Sequence, residues 1–175
     1  MRRAILGSLG VLLLAGGAQA QKADMAPPPV CEAVVPPPPE MAGWTKRSAV
    51  AAAGKADALG GAMLTPGKGA DVTLLPTPQV AYPVRASRPG GSVSSGGLLG
   101  FTATQAGTYR VALGSGAWIE VVRDGKALDS TAHSPGPTCT GIRKVVDFAL
   151  TPGAYVLEIA GNGSPNLPVL VTKLP

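Results

Sequence analysis

Glycine and proline punctuate this 175-residue chain 24 and 18 times. An interior glycine costs a helix about 1 kcal/mol relative to alanine and a proline about 3 kcal/mol. A helical bundle, which needs long stretches free of breakers, is therefore disfavoured. Breakers at this density suit a small β-domain with many turns, attached to a low-complexity segment. The length allows one domain and excludes a large cofactor enzyme.

The first twenty residues read as an export signal. Arg2 and Arg3 precede an uncharged apolar stretch from Ala4 to Gly17, and Ala18-Gln19-Ala20 places small residues where a signal peptidase cuts. The apolar part is too short for a comfortable membrane span, and no cysteine follows to support a lipid anchor. The mature chain is expected to start near Gln21, in the periplasm or secreted, with no membrane span after cleavage. Removing residues 1–20 takes two of 15 basic residues and none of the 10 acidic ones, so the net charge falls from +5 to +3. The remaining basic residues are scattered, the longest runs being Lys46-Arg47 and Arg143-Lys144. Nucleic-acid binding needs a basic stripe interleaved with stacking aromatics, and that class is set aside.

Residues 21–41 contain Pro27-Pro28-Pro29 and Pro36-Pro37-Pro38-Pro39. Such runs favour polyproline II geometry and lack amide donors, so they form a stiff arm rather than a sheet interior. The domain proper is expected over 42–175. A first strand is placed at Thr45–Ala51, followed by a short turn or helix broken by Gly54, Gly60 and Gly61. Strands are then expected at Asp71–Leu75, Gln79–Val84 (an edge, because of Pro83), Gly97–Ala103 and Thr108–Leu113. The last alternates Tyr109, Val111 and Leu113 with polar or small residues, the period of a half-buried strand. Trp118–Arg123 and Lys126–Thr131 flank Asp124-Gly125, a strong type I′ hairpin signal. Arg143–Leu150, Ala154–Ala160 and Leu167–Lys173 complete about eight short strands. This is an all-β chain, an antiparallel sandwich or jelly roll behind a Pro-rich arm.

The run Gly100-Phe-Thr-Ala-Thr-Gln-Ala-Gly-Thr-Tyr-Arg-Val-Ala-Leu113, then Trp118–Leu128, then Phe148-Ala-Leu-Thr-Pro-Gly-Ala-Tyr-Val-Leu157 resembles the bacterial pre-peptidase C-terminal domains. These are small β-sandwiches found beside secreted hydrolases, and the likeness covers about residues 97–174. It implies a secreted accessory or binding module without an active site. The chain departs from that pattern in the loop around Cys139 and in having no attached protease. Trp118-Ile119, Gly125, the His133 to Cys139 stretch and Ile142-Arg143-Lys144 also resemble a group of short exported bacterial proteins. Some of those carry the name homogentisate 1,2-dioxygenase. An iron oxygenase of that kind needs two imidazoles and a carboxylate. With His133 the only histidine, a monomeric site of that type is excluded by counting.

Cys31 and Cys139 are the only cysteines. In an oxidising compartment an even pair most often forms a disulfide, here tethering the arm to the loop beyond the hairpin. An intermolecular bridge and two free thiols are the alternatives. His133, six residues before Cys139, is a weak metal candidate that lacks a third and a fourth ligand. Asp124, Asp129 and Glu120 lack calcium-ligand spacing. No nucleophile elbow or phosphate loop is present, no catalytic residue is assigned, and no cofactor is expected. The ligand-contact candidates are Trp118, His133, Arg143 and Lys144. The favoured function is a non-catalytic binding or accessory module whose partner is a protein or glycan of the cell envelope. The alternative is a small metal-binding protein or oxidoreductase built around His133.

Overall fold

The structure is a computed structural model that describes residues 30–88 and 90–175. The signal sequence read at 1–20 and the prolines at 27–29 lie outside the described residues. The strands are β1 (Arg47–Ala51), β2 (Gly69–Thr73), β3 (Leu75–Pro76), β4 (Ser95–Ala103), β5 (Gly107–Leu113), β6 (Trp118–Arg123), β7 (Lys126–Ala127), β8 (Ala132–Pro135), β9 (Lys144–Leu150), β10 (Gly153–Asn162) and β11 (Asn166–Lys173). They form two sheets, ordered β1-β2-β11-β5-β9-β8 and β3-β4-β10-β6-β7. Every pairing is antiparallel except β1 with β2. The chain is all-β.

Alternation decides which side chains meet between the sheets. Tyr109, Val111 and Leu113 of β5 and Val146, Phe148 and Leu150 of β9 face Phe101 of β4, Ile119 and Val121 of β6 and Tyr155, Leu157 and Ile159 of β10. Phe101 and Tyr155 stack at 5.4 Å between ring centroids. The hairpin between β6 and β7 has φ of 50° at Asp124 and 71° at Gly125, the positive values that a type I′ turn requires.

Both sheets are also covered on their outer faces, and neither cover is a regular strand. Over the first sheet, the 3-10 turn Pro39–Thr45 buries Met41 and Trp44 against Ala112, Val145 and Leu170 of three adjacent strands and against Ile142. Met41, placed at the end of the arm by composition, is 1% exposed. Trp44 Nε1 donates to the Thr140 carbonyl at 3.1 Å. The Cys31–Cys139 disulfide closes the same side of the molecule, and the Val35 amide donates to the Cys139 carbonyl at 2.8 Å. The intramolecular pairing is therefore the one the chain adopts.

The second cover corrects an expectation. No strand forms over Gln79–Val84. Thr77–Gln79 is a 3-10 turn, and residues 80–88 run as an irregular strap over the second sheet. Pro83 has no amide to give a ladder, and the neighbouring polar groups bond sideways. The Ala81 amide donates to the Gly54 carbonyl at 2.7 Å, the Tyr82 hydroxyl to the Ile159 carbonyl at 2.9 Å, and the Val84 amide to Glu158 Oε1 at 2.9 Å.

Two further boundaries move because the chain changes sheets. The strand expected at Asp71–Leu75 splits at Leu74, whose amide donates to the Pro165 carbonyl, so β2 stays in the first sheet and β3 joins the second. The strand expected at Lys126–Thr131 shrinks to Lys126–Ala127 because residues 128–131 cross to the first sheet. That crossing is pinned at both ends, by Leu128 N to Val121 O and Thr131 N to Asp147 O, each 2.8 Å. It delivers β8, a strand where the sequence suggests only a loop.

Candidate functional site

The crossing at 128–131 leaves a cavity of about 170 Å³ at one end of the sandwich, where β6 of one sheet stands opposite β8 and β9 of the other. Ile119, Val146 and Phe148 form its floor, with Leu128 beside them. Its rim carries Trp118, Glu120, Ser130, His133 and Lys144. Four of the five rim residues arrive by a simple rule of register, and Ser130 comes from the crossing segment. Lys144 shares the inward face of β9 with Val146 and Phe148, so its stem lies among them and its head emerges at the end. His133 pairs with Val146 across β8 and β9 and so stands on the same side of the edge strand. Trp118 and Glu120 alternate with Ile119 and Val121, so they flank the cavity from the outer side of β6.

Trp118 is half-buried and tightly partnered. Its Nε1 donates to Glu120 Oε1 at 2.7 Å. Arg88 of the strap and Lys144 each lie 5.2 Å from a Trp118 ring centroid, within cation–π range. Lys144 Nζ also donates to the Ala117 carbonyl at 2.9 Å. Ser87 Oγ reaches Glu120 Oε1 at 3.1 Å, so the strap holds both the ring and its carboxylate. Burial, with Arg88 adding, holds the Lys144 ammonium below the usual lysine range, against the opposing pull of Glu120.

Beneath the strap lies a second carboxylate. Glu158 pairs with Glu120 across β10 and β6 and is 1% exposed. Its Oε1 accepts from Val84 N, while Oε2 is buried without a hydrogen-bond partner. Burial pushes its pKa up to about 7; the Val84 amide pulls the other way, and the Glu120 charge adds to the rise. Burial, helped by Glu158, also raises the Tyr82 hydroxyl to about 12.

Of the sequence candidates, Trp118, His133 and Lys144 meet at this cavity. Arg143 does not. One residue from Lys144, it takes the opposite side and lines the groove beside the disulfide with Val34 and Pro137. Glu120 entered the sequence reading only as a calcium possibility, while Arg88 and Ser130 carried no signal that could have found them. His133 is exposed, Cys139 is committed to the disulfide, and among the described residues no three His, Cys, Asp or Glu side chains cluster as metal ligands. Among the described residues no helix is long and apolar enough to cross a membrane. No family model matches the chain, and no curated protein matches it.

Proposed function

We propose that this is an exported, non-catalytic binding module, acting in the periplasm or outside the cell, with its ligand-contact surface at the Trp118 cavity. One observation carries the reading: side chains from β6, β8, β9 and the crossing segment converge on a cavity with an apolar floor and a polar rim. Ligand sites combine those two features, the floor for affinity and a few placed polar groups for orientation. The export reading draws on the N-terminal residue pattern, and an intramolecular disulfide suits an oxidising compartment. The resemblance of residues 97–174 to pre-peptidase C-terminal domains points to the same class of accessory module.

Capture from an envelope fraction tests the reading. Immobilised wild-type protein is expected to retain a partner that Trp118→Ala and His133→Ala both release, with an unchanged thermal melt for His133→Ala. His133 is exposed, so its loss leaves the fold intact. Retention undiminished by both substitutions would move the site elsewhere.

A further inference from the structure

We infer that the Trp118 cavity takes a small amphipathic carboxylate, its aliphatic part on the Phe148 floor and its charge beside Lys144. This rests on the reading of the cavity as a ligand site and narrows it to one chemical class.

The rim has a charge imbalance. Lys144 and Arg88 share the faces of one indole ring, and neither makes an ion pair with a carboxylate within 4 Å among the described residues. Glu120, the one acid of the rim, already accepts through Oε1 from Trp118 Nε1 and Ser87 Oγ. An ammonium has three donors; Lys144 gives one to the Ala117 carbonyl. Partly burying a cation beside another cation disfavours its charged form, and an anion seated at Nζ reverses that cost. Ser130 and His133 line the same mouth, adding a hydroxyl and an imidazole that can donate to a second carboxylate oxygen.

The floor selects against a purely inorganic anion. Ile119, Leu128, Val146 and Phe148 line it, so a ligand that fills the cavity meets carbon. The volume of about 170 Å³ fits a short branched chain or one small ring and is too small for a polymer segment. Two sources present that chemistry: a free short-chain carboxylic acid, and the C-terminal carboxylate of a peptide ending in an aliphatic residue.

The two indole N–H resonances make the test internal, because Trp44 sits on the opposite sheet and serves as the control. The probes are isovalerate, acetyl-Ala-Ala-Val with a free C-terminus, the amide of each, inorganic phosphate, and N-acetylglucosamine, titrated into the full chain. Saturable movement of the Trp118 resonance by a carboxylate is expected, weakened at least about tenfold in the matching amide. Lys144→Gln is expected to weaken the carboxylate to the level of the amide while the Trp44 resonance stays in place. Tighter binding of the peptide acid assigns the chain terminus as the source, and tighter isovalerate assigns the free acid. Equal response to acid and amide, a response to phosphate alone, or no carboxylate response overturns the inference. Movement by the sugar without the carboxylates would overturn the carboxylate while leaving the ligand site standing. Envelope capture that survives Trp118→Ala and His133→Ala removes the site itself.

Discussion

Each sheet buries a carboxylate on its outer face, and the two are handled in opposite ways. Asp147 on β9 is 8% exposed and accepts both arms of the Arg110 guanidinium, Nε to Oδ1 and Nη2 to Oδ2, each at 2.8 Å. That is the planar bidentate match that makes arginine effective at part-buried carboxylates. Arg110 in turn is held above its ordinary range, chiefly by the hydrogen bonds to Asp147. Glu158 on β10 is more deeply buried, yet it has one backbone amide, one unpartnered oxygen and a like charge at its paired position. The covers differ in the same sense. The first is apolar, built on Met41 and Trp44, and is closed by a disulfide. The second is a strap held by hydrogen bonds from Tyr82, Val84 and Ser87, and its far end touches the Trp118 site. One cover is closed covalently, and the other lies over a buried carboxylate whose pKa burial raises.

The largest test of that contrast is the disulfide. Cys31 and Cys139 are 108 residues apart, and closing a loop of that size is worth up to about 4.7 kcal/mol in the chain-entropy model. The double substitution of both cysteines by serine is expected to cost about 3–4 kcal/mol in denaturant unfolding and to open the first cover to proteolysis near Val35. The strap at 80–88 should be cut no faster. Equal acceleration at both covers would mean that the two faces open as one unit.

Next comes Arg110→Ala. Removing one member of a buried pair leaves the other uncompensated, at a cost of about 3–5 kcal/mol when burial is complete. The side chains here are 23% and 11% exposed, which places the expected loss near the bottom of that range, about 3 kcal/mol. Its signature is rescue: Asp147→Asn in the same background removes the orphaned charge and is expected to recover part of the loss. No recovery would assign the effect to packing of the arginine stem instead.

Glu158→Gln is expected to act with the opposite sign. The folded protein holds Glu158 at about 7 against an ordinary 4.5, so the native state keeps a proton that the unfolded chain has already lost. Stability from this group is intact below pH 4.5, falls as pH rises from 4.5 to 7, and stays low above 7. The full difference corresponds to about 3 kcal/mol. Glutamine cannot ionise, so the variant should match wild type near pH 4.5 and be more stable at pH 8. Parallel pH profiles for the two proteins would show that Glu158 stays ionised in the native state.

The residues that built the sheets were legible, and those that cover them were not. Alternation in Tyr109–Leu113 and Val146–Leu150 locates β5 and β9, because a half-buried strand writes its face into every second residue. Asp124-Gly125 locates its turn for the same reason: the conformational demand is local. Tyr82 and Val84 also alternate, and that pattern misreads the strap as an edge strand. Their true partners, Ile159 and Glu158, lie over 70 residues away, a distance no local pattern encodes. Trp118, His133 and Lys144 are legible in the sequence as single aromatic or polar residues. Their convergence depends on the crossing at 128–131, which a continuous reading of Lys126–Thr131 as one strand hides. Arg143 is the sequence neighbour of Lys144, and one step of alternation sends it to the other side.

The smallest effect is the one most specific to the strap. Tyr82→Phe removes the hydroxyl that donates to the Ile159 carbonyl at 2.9 Å and keeps the ring. A neutral hydrogen bond of this kind contributes about 1 kcal/mol net. The carbonyl left behind is part-buried, so a loss of about that size is expected at pH 5, where Glu158 carries its proton. At pH 8 the Glu158 charge is present, and a carboxylate accepts the Val84 amide more strongly than the neutral acid does, which holds the strap that presents the Tyr82 hydroxyl. The loss should therefore grow with pH, and in the Glu158→Gln background it should not. A double-mutant cycle at the two pH values measures this directly. Coupling confined to pH 8 would identify the strap as held by the charge state of Glu158. Coupling equal at both pH values would make the strap an ordinary packed loop, and the contrast with the first cover would reduce to the disulfide alone.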